Sequence, residues 1–185
     1  MIKINKFKTK QNREFVVIDD AVELKNRTAI NQFVTHSLYK IGGTDTEYSN
    51  YPYLISEYSL GDVESLGLID IFNNANINIT YDDINRTLIN LSLSNEPHWY
   101  HTHFNESVIL YYVNQDWCQE WGGETLFMND SLTETEYASA YTPGRIIIFD
   151  GNIPHTLRPQ SMIAPTYRFT LAMFVNKTVN ELVNK

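Results

Sequence analysis

From about residue 84 onward the hydrophobic pattern alternates with a period of two, and this limits the fold more than any other feature of the chain. Side chains on a strand alternate between two faces, so such a pattern marks half-buried or fully buried strands. Eight short strands are expected, at 86–93, 98–103, 107–114, 123–128, 137–142, 145–149, 154–158 and 166–175. Turn residues punctuate them: Asn95-Glu-Pro97, Gly122-Gly123, Asn129-Asp130, Pro143-Gly144 and Asp150-Gly-Asn152. Evenly spaced short strands with turn signals point to a sandwich or barrel of jelly-roll type.

The first 80 residues read differently. Residues 15–19 form a short apolar strand, and 21–40 carry a helical stripe through Val22, Ile30, Phe33 and Val34. Asp19 or Asp20 is placed to cap that helix, with Gly42-Gly43 just beyond its end. Residues 44–60 form an irregular aromatic segment holding Tyr48, Tyr51, Tyr53 and Tyr58, and 62–74 a second helix. The expected fold is therefore mainly β, with a β core over 84–176 and a helical N-terminal support over 1–80. All of it belongs to a single domain spanning 1–185. Residues 177–185 read as a frayed tail or a last helical turn.

Charge and composition exclude several functions. The net charge of −8 argues against a partner bound through the phosphates of duplex nucleic acid, which needs a basic face. No apolar run reaches the roughly 18 residues that span a bilayer, and the N-terminus lacks a signal-peptide core. The expected location is cytoplasmic. A single cysteine, Cys118, excludes an internal disulfide or a multi-cysteine zinc site.

Of five histidines, three fall between residues 98 and 103, in the run Glu96-Pro-His-Trp-Tyr-His-Thr-His103. On a strand, His101 and His103 share a face and can chelate one ion. His155, in Asn152-Ile-Pro-His155, is the only histidine on a later strand and can complete the set. Three protein ligands with open positions make a catalytic rather than a structural metal site. His36 and His98 read as ordinary hydrogen-bonded histidines.

The runs His101-Thr-His103, Leu110-Tyr-Tyr-Val-Asn114, Trp121-Gly-Gly-Glu-Thr-Leu-Phe127, Pro143-Gly-Arg-Ile-Ile-Ile-Phe-Asp150, Pro154-His155 and Tyr167-Arg-Phe-Thr-Leu171 occur in an order that resembles the Fe(II)/2-oxoglutarate-dependent dioxygenases, in their prolyl-4-hydroxylase-like branch. The resemblance implies a double-stranded β-helix of cupin-like type. It implies Fe(II) held by His101 and His155, with 2-oxoglutarate as cosubstrate and O2 as oxidant. Arg168 matches the basic residue that grips the far carboxylate of 2-oxoglutarate, as a guanidinium can with two parallel bonds. Tyr112 matches a tyrosine binding the same carboxylate; Arg145 and Arg158 are further basic candidates.

The chain departs from the family's His-x-Asp pattern in having His103 at the aspartate position. Direct ligation by His103 is the expectation, giving a more positive site with altered redox tuning. The alternatives are a His103 that swings away, leaving an additional open position, or a lost activity. The function implied is hydroxylation of a C–H bond in a prolyl or other amino-acid residue, or in a small molecule. Two other readings compete: a three-histidine oxygenase that needs no oxoacid, and a non-catalytic jelly-roll binding module. Trp99, Tyr100, Trp117 and Trp121, with the tyrosines of 48–58, are candidate rim residues.

Overall fold

The period-two runs assemble into two antiparallel sheets, seen in a computed structural model that describes residues 1–46 and 51–183. The strands are β1 (Lys3–Lys8), β2 (Glu14–Asp19), β3 (Lys40–Gly43), β4 (Tyr53–Ser56), β5 (Ile84–Ser92), β6 (Ser107–Tyr112), β7 (Thr125–Met128), β8 (Thr135–Ser139), β9 (Ile146–Asp150), β10 (His155–Leu157) and β11 (Arg168–Val175). The helices are α1 (Leu24–His36), α2 (Leu60–Ser65), α3 (Leu68–Asn74) and α4 (Val179–Val183). The larger sheet runs β1-β2-β9-β6-β11-β5-β4-β3, and the smaller runs β10-β7-β8.

Alternation decides where each side chain goes. Every residue of β6 and β11 is buried, because both faces of the larger sheet are covered. Val108, Leu110, Tyr112, Ile147, Phe149, Ala172 and Phe174 face the smaller sheet and pack with Phe127 and Tyr141. Their neighbours Ile109, Tyr111, Ile146, Ile148, Leu171 and Met173 face the other way. There they meet Ile30 and Val34 of α1, Leu68, Ile71 and Phe72 of α3, and Leu182 of α4. Burying side chains of this size stabilises by about 1.5–3 kcal/mol each. The register also sends Arg168, Thr170, Ala172 and Phe174 of β11 into the space between the sheets.

The structure corrects several expectations. The N-terminal part is not chiefly helical: it supplies β1 to β4, half of the larger sheet. The first helix starts at Leu24, and its N-cap is Glu23, which makes no side-chain capping bond. Asp19 and Asp20 are used elsewhere. Asp19 takes a two-pronged grip from Arg145 (Nε–Oδ1 2.7 Å, Nη2–Oδ2 2.9 Å), and Asp20 pairs with Lys3. Gly42 and Gly43 lie in β3 rather than at a helix stop. The helix expected over 62–74 is two helices, because Gly67 takes a left-handed conformation (φ 61°) that ends α2. Most significantly, 98–103 is not a strand: only one bridge, at His101, joins it to a neighbour. Tyr48 lies outside the described residues.

Candidate metal centre

His155 opens β10 and is buried. His101 is bound to it through the backbone: each residue's N–H donates to the other's carbonyl at 3.0 Å. His103 donates its N–H to the Gly151 carbonyl at 2.7 Å. These bonds hold the segment extended enough for both imidazoles to converge on His155 although no strand forms. Gly151 permits this approach. A Cβ there would lie 2.5 Å from the carbonyl oxygens of both His103 and Glu106, and 2.9 Å from the His103 Cβ.

One ring nitrogen from each of His101, His103 and His155 lies within 4.8 Å of the others, and the ring centroids are 4.5–5.0 Å apart. Two of the rings are set by backbone carbonyls. His101 Nδ1 meets the Trp99 carbonyl at 3.1 Å, and His155 Nδ1 meets the Ile153 carbonyl at 2.8 Å. A carbonyl can only accept, so Nδ1 carries the proton and the Nε2 lone pair is left for a metal. Burial, reinforced by His101 and His103, holds His155 well below an ordinary histidine value. Burial, then the neighbouring His101 and Arg86, pushes His103 down to about 3. These two imidazoles are therefore neutral at neutral pH, the form that ligates. The donor set fits a divalent transition metal with open positions.

His103 differs from the other two. Its Nδ1 faces Arg86 Nη2 at 3.4 Å. A guanidinium only donates, so this contact places the His103 proton on Nε2. Glu106 also holds Arg86, through Nε at 3.3 Å and Nη2 at 2.8 Å, and can retain it when His103 changes tautomer.

The same cavity is lined at another wall by Arg168, with Thr125, Asn90 and Thr170. Arg168 is 2% exposed. Its Nε donates to the Gly123 carbonyl at 2.8 Å and its Nη2 to Thr125 Oγ1 at 3.3 Å. Its guanidinium lies over the rings of Tyr141 (4.9 Å) and Tyr112 (5.3 Å). Burial pulls it down from the ordinary arginine value. Among the described residues no carboxylate forms an ion pair with it. A buried guanidinium held by neutral acceptors is a prepared anion site.

Tyr112 does not line this cavity. Its hydroxyl is turned to Thr125 Oγ1 at 2.7 Å and the Ser139 carbonyl at 3.4 Å, so it buttresses Thr125 from behind. Arg145 is committed to Asp19, and Arg158 is exposed and outside the lining. Of the expected rim aromatics, Trp117 packs on Tyr141 with centroids 4.5 Å apart and donates Nε1–H to the Gly122 carbonyl. Trp99 stacks on Tyr51 with centroids 5.6 Å apart and remains 41% exposed.

Sequence reasoning missed Asp45, His98, Thr125 and Asn90, which line the cavity together with Tyr53, one of the candidate rim tyrosines. His98, read as an ordinary histidine, sits between Asp45 (3.4 Å from Nδ1) and Glu96 (3.4 Å from Nε2). Burial works against its charge, but the two carboxylates outweigh it and raise its pKa. Burial likewise works against ionised Asp45, but bonds from His98 and the Trp99 N–H hold it below the usual carboxylate range. Thr125 alone carried a signal, as part of the Trp121–Phe127 run.

No protein-family model and no curated protein matches the chain. Its fold does match solved structures. An oxidoreductase of the 2OG-Fe(II) oxygenase family from Burkholderia pseudomallei superposes with a TM-score of 0.65 at 12% identity, over 91% of this chain and 88% of that one. A prolyl-4-hydroxylase from Pseudomonas putida gives 0.62 at 11% identity, over 88% and 92%. A prolyl hydroxylase from Trichoplax adhaerens, solved with a hypoxia inducible factor peptide fragment, gives 0.63 at 14% identity, over 88% and 83%. The chain thus has a mainly β fold similar to that of 2OG-Fe(II) oxygenases and prolyl-4-hydroxylases, with a three-histidine cluster that fits a metal site.

Proposed function

We propose that this protein is an Fe(II)- and 2-oxoglutarate-dependent oxygenase that hydroxylates a C–H bond of a peptidyl or small-molecule substrate. It is built as one double-stranded β-helix domain over 1–185, with its core at 84–176. His101, His103 and His155 hold Fe(II), and Arg168 holds the far carboxylate of 2-oxoglutarate. The carrying observation is that three converging imidazoles and a buried guanidinium, with no ion-paired carboxylate among the described residues, line one cavity. Fe(II) with 2-oxoglutarate and O2 supplies the oxidising power of such a site.

The chain's own residues do the rest. Arg168, propped by Gly123 and Thr125, binds and orients the dicarboxylate. Tyr112 fixes Thr125. Leu88, Val108, Leu110, Phe149 and Phe174 make the walls apolar and exclude water. A three-histidine oxygenase that needs no oxoacid gives the buried Arg168 no task. His103 completes the metal set once its proton moves to Nδ1.

The test is anaerobic titration of the Fe(II)-loaded protein with 2-oxoglutarate. The expected result is a weak visible charge-transfer band that His155→Ala abolishes. Absence of 2-oxoglutarate binding at millimolar concentration overturns the proposal.

A further inference from the structure

Three imidazole ligands bring no negative charge to a divalent ion. One carboxylate nonetheless stands in the wall of their cavity. Asp45 is the only acidic residue lining it among the described residues, and its side chain is 6% exposed. Its Oδ2 accepts the Trp99 N–H at 2.8 Å and lies 3.4 Å from His98 Nδ1. Its Oδ1 is turned to His101, 3.6 Å from Nδ1. A buried carboxylate is costly unless donors or cations offset it. His98 and Trp99 provide that on one oxygen, which leaves the other directed at the back of a metal-binding ring. Glu96, 3.4 Å from His98 Nε2, extends the array. Residues 96, 98, 99 and 101 of one short segment are thereby organised around a residue some fifty positions earlier in the chain.

We propose that Asp45 is an outer-sphere positioning residue for the metal. It supplies from behind His101 the negative charge that His103 does not supply as a ligand. A carboxylate on the far side of a ligating imidazole fixes the ring and raises its basicity. Here it acts beside the Trp99 carbonyl, which takes the same Nδ1 proton at 3.1 Å. The inference rests on the metal-site reading above.

The test is a double-mutant cycle in Co(II) affinity, measured by competition with a chromophoric chelator. Asp45→Asn keeps an acceptor for the Trp99 N–H and removes the charge, leaving an amide NH2 in place of the oxygen turned to His101. In the natural sequence it is expected to weaken Co(II) binding roughly 10- to 100-fold, the usual cost of losing an outer-sphere partner. In a His103→Asp background, where the charge is restored at the metal, the loss is expected to shrink to less than about threefold. Equal losses in both backgrounds identify Asp45 as merely structural and overturn the inference; no loss in either does the same. Failure of the unsubstituted protein to bind Co(II) at all overturns the metal-site reading itself, and this inference with it. Should His103→Asp fail to fold, the Zn(II)-loaded protein gives a second readout. Asp45→Asn must shift the His101 Nδ1 nitrogen resonance and leave that of His155 in place; unchanged resonances overturn the inference.

Discussion

Arg86 points a donor at His103 Nδ1 from 3.4 Å, whereas His101 and His155 have carbonyl acceptors at the same position. The third histidine is therefore held with its proton on Nε2, and the proposed ligation through Nε2 requires Arg86 to release Nδ1 and rest on Glu106 alone, which it already bonds. Arg86→Gln offers an amide oxygen that accepts from Nδ1–H. It is expected to tighten Ni(II) or Co(II) binding about tenfold, on the scale of outer-sphere effects. Chelator competition measures this; unchanged or weaker affinity would show that Arg86 does not oppose ligation.

Arg168→Ala is expected to weaken 2-oxoglutarate binding about 10- to 100-fold, the loss of charge-assisted hydrogen bonds worth roughly 1.5–3 kcal/mol. Metal affinity should stay within about twofold. Arg168→Lys should lose less, since it keeps the charge but not the two-pronged geometry. Calorimetry with 2-oxoglutarate on the metal-loaded protein checks both.

Gly123 has φ 87°, and a Cβ there would lie 3.2 Å from Arg168 Cδ and 3.2 Å from Trp117. Gly123→Ala is expected to cost about 1–3 kcal/mol of stability through backbone strain and to displace the guanidinium. Chemical denaturation reads the first effect and 2-oxoglutarate calorimetry the second. Oxoacid affinity equal to that of the natural sequence would mean that Arg168 is not positioned by this contact.

The metal-free protein should lose stability as pH falls. Folded His103 titrates at about 3 and unfolded His103 near 6.5. Between those values the unfolded chain binds the extra proton, so acid favours unfolding by up to about 1.4 kcal/mol per pH unit from this group. His155 acts in the same direction. His98, raised by its carboxylate partners, acts in the opposite one: its contribution is present below the unfolded value and lost as pH rises through the folded one. Denaturant midpoints at pH 5 and pH 7.5, in chelator, should differ less for His103→Gln than for the natural sequence. An equal difference contradicts the burial-driven depression at His103.

Much of the β architecture was legible because alternation is a local property. The strands over 84–92 and 168–175 follow from side-chain order alone. Residues 98–103 were not legible as what they are. Their alternation is real, but the segment pairs through one bridge and its shape is imposed by residues 151–155. The N-terminal strands β3 and β4 were hidden in glycine- and tyrosine-rich sequence that has no clear period. At the site, histidine spacing identified the ligand candidates, whereas Asp45 gave no signal. Its role depends on a contact across 54 residues of chain with Trp99, and nothing local to Asp45 encodes that.

Gly151 carries no functional group, yet its bare Cα lets the His103 carbonyl come close enough to aim the imidazole. The mutational tolerance of this centre is therefore inverted with respect to its chemistry. Position 103 is tied down through its backbone N–H to Gly151, a bond that does not depend on its side chain. The silent position at 151 cannot accept even a methyl group without moving His103. Diversification of such a centre is open through its donors and closed through its spacing.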